Sequence, residues 1–144
     1  MAWRMDRPLT DAEAVIARYW REIWTEGNVE AAHEIYAPSY RENLEASTPT
    51  EFAAGAAAWL AHFKNFRVDV EELLSVENRV VSRVTYRGTH TSDFKRVPAR
   101  GREVAVSGID IFEFESGRVV QHWHETDHLE LFRQLGAELQ PAPE

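Results

Sequence analysis

The chain contains no cysteine, which removes disulfides, thiolate nucleophiles, iron–sulfur clusters and cysteine-ligated zinc together and leaves a protein that needs no oxidising compartment. It shows neither an apolar leader at its start nor any run approaching the roughly 20 apolar residues that span a bilayer, so an unprocessed, cytoplasmic protein is expected. Positive charge is scarce: 16 Lys and Arg stand against 24 Asp and Glu, for a net charge of −8 with histidine neutral, and the isoelectric point is near 5.3. Nucleic acid and anionic membrane surfaces are therefore not expected partners. Internal repeats and low-complexity segments are missing, and 144 residues are enough for one buried core but not two. A single domain over residues 1–144 follows. What the chain does hold is apolar and aromatic: 44% hydrophobic residues and 11% aromatic ones, five of them Trp. That excludes disorder and leaves aromatics to line a cavity as well as fill a core.

The hydrophobic period divides the chain in two. Thr10 and Glu13 form a capping box, after which Val15, Ile16, Tyr19, Trp20, Ile23 and Trp24 recur at helical spacing until Gly27. Asn28 is suited to cap a second, shorter helix that Pro38 closes, and Ser39 to Ser47 read as irregular. Thr48, with Pro49 at the first helical position and Glu51 at the third, opens a third helix carrying Phe52, Ala56, Trp59, Leu60 and Phe63 on one side, with Lys64 at its end. From Phe66 the period becomes two. Strands are predicted from Phe66 to Val70, Val80 to Tyr86, Glu103 to Phe114 and Arg118 towards Asp127. Asp127 and Glu130 read as the capping box of a last helix that Gly136 stops, leaving a flexible tail at about 137–144. Three helices ahead of an antiparallel run make an α+β fold, a curved sheet covered by helices and shaped like a cone whose interior is the natural pocket.

Candidate chemistry concentrates on the last two long strands. A three-residue loop with a bulge at Gly117 asks positive φ of glycine alone, whereas a two-residue turn asks it of Ser116 as well. The bulged loop pairs Phe114 with Arg118, Phe112 with Val120, Asp110 with His122, and Gly108 with His124. Asp110, His122 and His124 then share an apolar face, with opposed Cβ atoms about 4.5–5.5 Å apart and diagonal ones about 7–8 Å apart. A carboxylate beside an imidazole orients the ring and holds its charge, and apolar walls shift both groups toward proton exchange near neutrality. Two His and an acid can also ligate a metal, but the spacing is weakly specific and no further ligand cluster is evident, so no metal is expected. Tyr19, Trp20, Tyr40, Phe63, Tyr86, His90 and Phe112 are candidate walls for a planar ligand, with core packing the plainer role for most of the aromatics. On the opposite face Ile109, Ile111, Val119 and Trp123 make an apolar patch through which a homodimer is expected.

The stretch VSGIDIFEFESGRVVQHWHETDHLELFRQLG from Val106 to Gly136, with RYWREIWTEGNVEAAHEIYAPSY, FRVDVEELLSVENRVVSRVTYRGTHTSDF and PARGREV before it, resembles the SnoaL-like polyketide cyclases of the nuclear transport factor 2-like superfamily. The resemblance covers nearly the whole chain. It implies a cone-shaped α+β barrel, commonly dimeric, that takes a small hydrophobic or aromatic molecule and needs no cofactor. In the cyclases a deep Asp and His act as acid and base for an intramolecular aldol closure. Their positions fall on Asp110 and His124 with the residue types exchanged, and the His that usually follows the Tyr after the second helix meets Tyr40-Arg41-Glu42-Asn43 here.

Fold alone does not choose a reaction. The leading expectation is a cyclase-like enzyme on a carbonyl-rich polyketide or ester, in which one of His124 and Asp110 removes an activated proton, its partner donates to the accepting carbonyl, and His122 orients Asp110. A hydrolase activating water, as related epoxide hydrolases do with an Asp–Arg–Asp set, would draw on Arg83 or Arg87. A binding module would use the same Asp–His pair only to hold a ligand.

Overall fold

The computed structural model describes residues 6–144. The capping box at Thr10 and Glu13 forms as the sequence predicts and opens α1 (Asp11–Arg18), which continues as a wider π-helical segment over Tyr19–Thr25. Its closing bond, Glu26 N–H to Arg21 O at 2.9 Å, spans five residues. Tyr19, Trp20 and Ile23 of this segment are buried in the core, on the face that their helical spacing predicts.

Glu13 deserves its fully buried position because Arg7 grips both of its oxygens at 2.7 Å while Thr10 N–H donates to Oε1 at 2.9 Å. Those bonds, the Arg7 pair first, hold its carboxyl at about 2. A carboxylate so depressed stabilises the fold above its unfolded pKa of about 4.3, and the contribution is lost as pH falls through the folded value. Glu13→Gln is expected to lower stability near neutrality by about 1 kcal/mol through the weakened cap. It should also flatten the loss of stability between about pH 4 and pH 2 in acid-denaturation curves. An unchanged acid limb would remove Glu13 from the acid transition.

The second helix is shorter than its pattern. A 3₁₀ turn (Val29–Ala31) without a side-chain cap from Asn28 runs into α2 (Ala32–Ile35), and the chain is already extended at Tyr36. Residues predicted to be irregular form β1 (Tyr36–Glu42) and β2 (Glu45–Ser47), because pairing with a neighbouring strand overrides the proline and the charges. Next come α3 (Pro49–Leu60), capped by Thr48, then β3 (Phe63–Val76), β4 (Arg79–His90), β5 (Glu103–Glu115), β6 (Arg118–Thr126) and α4 (His128–Leu135). Phe63 and Lys64 thus begin β3 rather than ending α3. The Asp127 side chain accepts from Glu130 N–H at 3.0 Å and caps α4, as predicted.

The six strands form one open sheet in the order β2-β1-β6-β5-β4-β3. It is antiparallel except where β1 runs parallel to β6. No described helix is long and apolar enough to cross a membrane. The apolar core lies between the sheet and helices α1 to α3.

The β5–β6 register differs from the expected one in two compensating ways. Ser116 and Gly117, with φ of 51° and 80°, make a two-residue turn that pairs Glu115 with Arg118. The extra residue lies further along β6, where the register shifts between the Phe114–Val119 and Glu113–Gln121 pairs. The turn alone would have sent both histidines to the face opposite Asp110; the bulge returns them. His124 now opposes Asp110 and His122 opposes Phe112. The two-residue turn also pairs Val119 with Phe114 and so places it in the core, and the outer patch keeps Ile111 and Trp123, both partly covered, and Ile109 at 51% exposure, without Val119.

Candidate functional site

Along β5 every second side chain from Val104 to Phe114 is buried, and Asp110 is the acid in that stripe. It is 2% exposed and His122 1%, and His122 Nε2–H donates to Asp110 Oδ2 at 2.6 Å across the diagonal of the ladder. The other ring nitrogen of His122 stands 2.9 Å from the Tyr36 hydroxyl and 3.4 Å from Glu42 Oε1. Below the ring, Phe112 stacks at 4.2 Å between centroids and 20° between planes. Burial by itself lowers the His122 pKa, but the hydrogen bonds and charges of Asp110 and Glu42 outweigh it and hold the imidazole above its ordinary value. Burial likewise opposes ionisation of Glu42, and the bond to His122 with the nearby imidazole charges prevails, so that carboxyl is lowered.

His124 occupies a different environment. Burial, followed by the charge on its neighbour His122, lowers its pKa, so it favours the neutral ring where His122 favours the charged one. Two imidazoles on one strand are thereby driven apart in protonation.

These groups border a cavity of about 340 Å³ whose walls include Tyr19, Trp24, Phe52, Trp59, Tyr86 and Phe94, with Glu42, Asp110, His122 and His124 among its polar residues. The Asp110 Oδ1 atom and the Trp24 indole nitrogen are buried without a hydrogen-bond partner among the described residues. Burial, followed by the Asp110 charge, raises the hydroxyl pKa of both Tyr19 and Tyr86, so both stay protonated. Gly108 makes room for this wall: a Cβ there would lie 2.6 Å from Cε2 of Tyr86, an edge-on ring held against Trp20. No group of three or more metal-ligating side chains is found among the described residues.

Of the residues predicted to line a pocket, Tyr19 and Tyr86 do, with Asp110, His122 and His124. Others are corrected. Trp20 is buried in the core and donates its indole N–H to Ser82 Oγ at 3.1 Å. Tyr40 stacks on Tyr36 at 4.2 Å and reaches Glu42 with its hydroxyl. Phe112 lies beneath His122, and Phe63 joins Trp59, Phe66 and Phe94 beside the cavity. His90 is fully buried rather than at the mouth, because β4 extends to it and Arg102 and Gly101 bond its backbone. Neither of its ring nitrogens has a hydrogen-bond partner among the described residues. Arg83 and Arg87 point away and pair with Glu72 and Asp69, so neither serves an Asp–Arg–Asp set in the cavity.

The sequence reading missed β1 as a source of site residues. Tyr36, Glu42 and Asn43 all reach the histidines from it or from the turn after it. The signal was there: Tyr36, Tyr40 and Glu42 stand at even positions, and only Pro38 between them argued against a strand.

No curated protein matches the chain by sequence. Among solved structures, TsrD from Streptomyces laurentii is 28% identical, with 94% of this chain and 100% of that one covered at a TM-score of 0.82. A protein of Acidithiobacillus ferrooxidans described as a candidate polyketide cyclase is 25% identical, with 90% and 96% covered at 0.81. A SnoaL-like polyketide cyclase of Agrobacterium tumefaciens, 18% identical over 89% and 100%, shares the fold at 0.75. The model of the SnoaL-like polyketide cyclase family matches residues 14–135, a span that runs from α1 through the Asp110–His122 pair to the end of α4, and the chain belongs to that family.

Proposed function

We propose that the protein closes a ring within a hydrophobic, carbonyl-rich substrate by acid/base catalysis alone, an aldol-type step in a dry cavity. The observation that carries this reading is the buried Asp110–His122 pair bordering an aromatic-walled cavity, with one carboxylate oxygen left without a partner among the described residues. A buried acid held by an imidazole and left with a free oxygen has the makings of a proton acceptor, and the apolar walls strengthen every charge interaction around it. Membership of a cyclase family supports the reaction class.

In the step itself a proton leaves the activated carbon between two carbonyls, the carbanion so formed attacks a further carbonyl carbon elsewhere in the same molecule, and the new alkoxide oxygen takes a proton. One of Asp110 and His124 accepts the first proton, and the other hydrogen-bonds the accepting carbonyl. The walls hold the chain folded so that the two carbons meet. His122 keeps Asp110 in place.

Planar aromatic β-keto esters are the test substrates, with isomeric or dehydrated product followed by mass and absorbance. Asp110→Asn and His124→Ala are each expected to lower turnover by roughly 10²–10⁴-fold. Full turnover in either variant sinks the assignment. Tight retention of these molecules without chemical change points instead to a binding module.

A further inference from the structure

We infer that Asn43 is a positioning residue that fixes His124 as a neutral ring protonated on Nδ1, making His124 the hydrogen-bond donor of the site and Asp110 its proton acceptor. The inference rests on the cavity being the reactive site and goes on to assign the two roles within it.

Three bonds tie Asn43 to β6. Its backbone N–H donates to His122 O at 2.9 Å, its Oδ1 accepts from His124 N–H at 3.0 Å, and its Nδ2 lies 3.1 Å from His124 Nε2. The second bond decides the third. A backbone N–H can only donate, so the amide oxygen must face it and the amide nitrogen must face the ring. An NH₂ group can only donate as well, so Nε2 must offer a lone pair, and the proton of the neutral imidazole is then on Nδ1. Protonating the ring would set two donors face to face at 3.1 Å.

The local backbone shows why asparagine stands here. Asn43 and Leu44 form the β1–β2 turn with φ of 47° and 73°, a left-handed pair that Asn tolerates better than most residues. Arg41 secures that turn by donating to Leu44 O at 2.7 Å. A side chain that satisfies an unfavourable turn while closing two bonds onto one histidine is held rigidly.

The chemical consequence is directional. Neutral His124 has no acceptor left, because Nε2 is taken and Nδ1 carries the proton, so it can polarise a carbonyl or steady an enolate oxygen but cannot remove a proton. Of the two groups assigned to the proton transfer, that leaves Asp110, whose Oδ1 has no partner among the described residues, as the acceptor. The proton it takes from carbon is the one returned to the new alkoxide, so the enzyme ends as it began. The substrate should accordingly present a carbonyl oxygen, not a hydroxyl lone to be deprotonated, to His124.

The test is nitrogen-15 NMR of the imidazoles in the full-length protein. Charged or titratable groups around His124 are His122 and Glu125 on β6, Asp110 on β5, Glu42 on β1 and His128 at the start of α4. They are left untouched in every variant. Wild-type His124 is expected to show the Nδ1–H form, although a free side chain favours Nε2–H. Asn43→Asp keeps the turn and the acceptor for His124 N–H but replaces the donor by a carboxylate oxygen. It should switch the ring to Nε2–H and raise its titration midpoint by about one pH unit or more. Asn43→Gly, which suits the turn but offers no side chain, should release the ring toward Nε2–H with no such rise. An Nε2–H ring in the wild type, or an unchanged tautomer in folded Asn43→Asp, overturns the inference even if Asp110→Asn abolishes turnover. Conversely, the expected tautomers with no turnover on any substrate uphold the geometry and sink the cyclase reading alone.

Discussion

Asp110→Asn is expected to lower the pH at which His122 titrates and to weaken the fold most under acidic conditions. With the carboxylate gone, burial, which already opposes the imidazolium, is countered only by Glu42 at 3.4 Å. The sign follows from the pair. A histidine whose folded pKa is raised adds stability that is fully present below its unfolded pKa of about 6.5 and is lost as pH rises through the folded value. The gap in stability between wild type and Asp110→Asn should therefore be widest below about pH 6 and narrow on the alkaline side. Its size is set by two opposing facts. Breaking a buried ion pair costs about 3–5 kcal/mol when the remaining charge has no escape. Here His122 escapes by losing its proton, and Asn offers an amide oxygen to Nε2–H, so about 2 kcal/mol at pH 5.5 is expected. Urea denaturation at pH 5.5 and 8.5, beside carbon-bound proton NMR of the His122 ring, reads both effects. A His122 midpoint that does not move would mean that Asp110 holds the ring without sharing its charge.

How much of this was visible beforehand differs by residue. The capping box at Thr10, the N-cap at Asp127, the helix stop at Gly136 and the strand at β5 were legible because each is set by neighbours a few residues away. Asp110, His122 and His124 were also legible, from polar residues at alternate positions of apolar strands. Their pairing was not. The bulge beyond Val119 depends on how β6 meets β1 and β5 together, and nothing local to Val119-Val120-Gln121 marks it. Two errors of one residue each left the face correct and shifted the partners by two. Asn43 was hidden for a related reason. Its role comes from the parallel β1–β6 contact, 81 residues apart in the chain, which no hairpin rule reaches. Candidate walls such as Trp20 and Phe112 were assigned by type, and type does not tell which aromatic faces a cavity and which lies a layer beneath it.

Phe112 shows that the layer beneath matters to the chemistry. It is fully buried, meets Tyr19 edge-on at 5.1 Å and Trp20 at 6.4 Å, and carries His122 on its face at 4.2 Å. Phe112→Ala is expected to cost about 3–5 kcal/mol, since the surrounding rings cannot collapse far into the space left behind. That loss alone would not distinguish packing from electrostatics. Phe112→Leu does, because it keeps most of the apolar volume, at a cost nearer 1 kcal/mol, while removing the aromatic face. A charged imidazole stacked on a phenyl ring gains about 0.5–2 kcal/mol when shielded from water, and each 1.4 kcal/mol corresponds to about one pH unit in the titration of that ring. If Phe112 helps keep His122 charged, Phe112→Leu should lower the His122 midpoint by a few tenths to about one pH unit with Asp110 still in place. Asp110, tied to the same ring at 2.6 Å, would then face a less charged partner, and the pH profile of turnover should move in the same direction. A midpoint equal to that of the wild type would reduce Phe112 to filler, and the charge state of the site would rest on the two carboxylates alone.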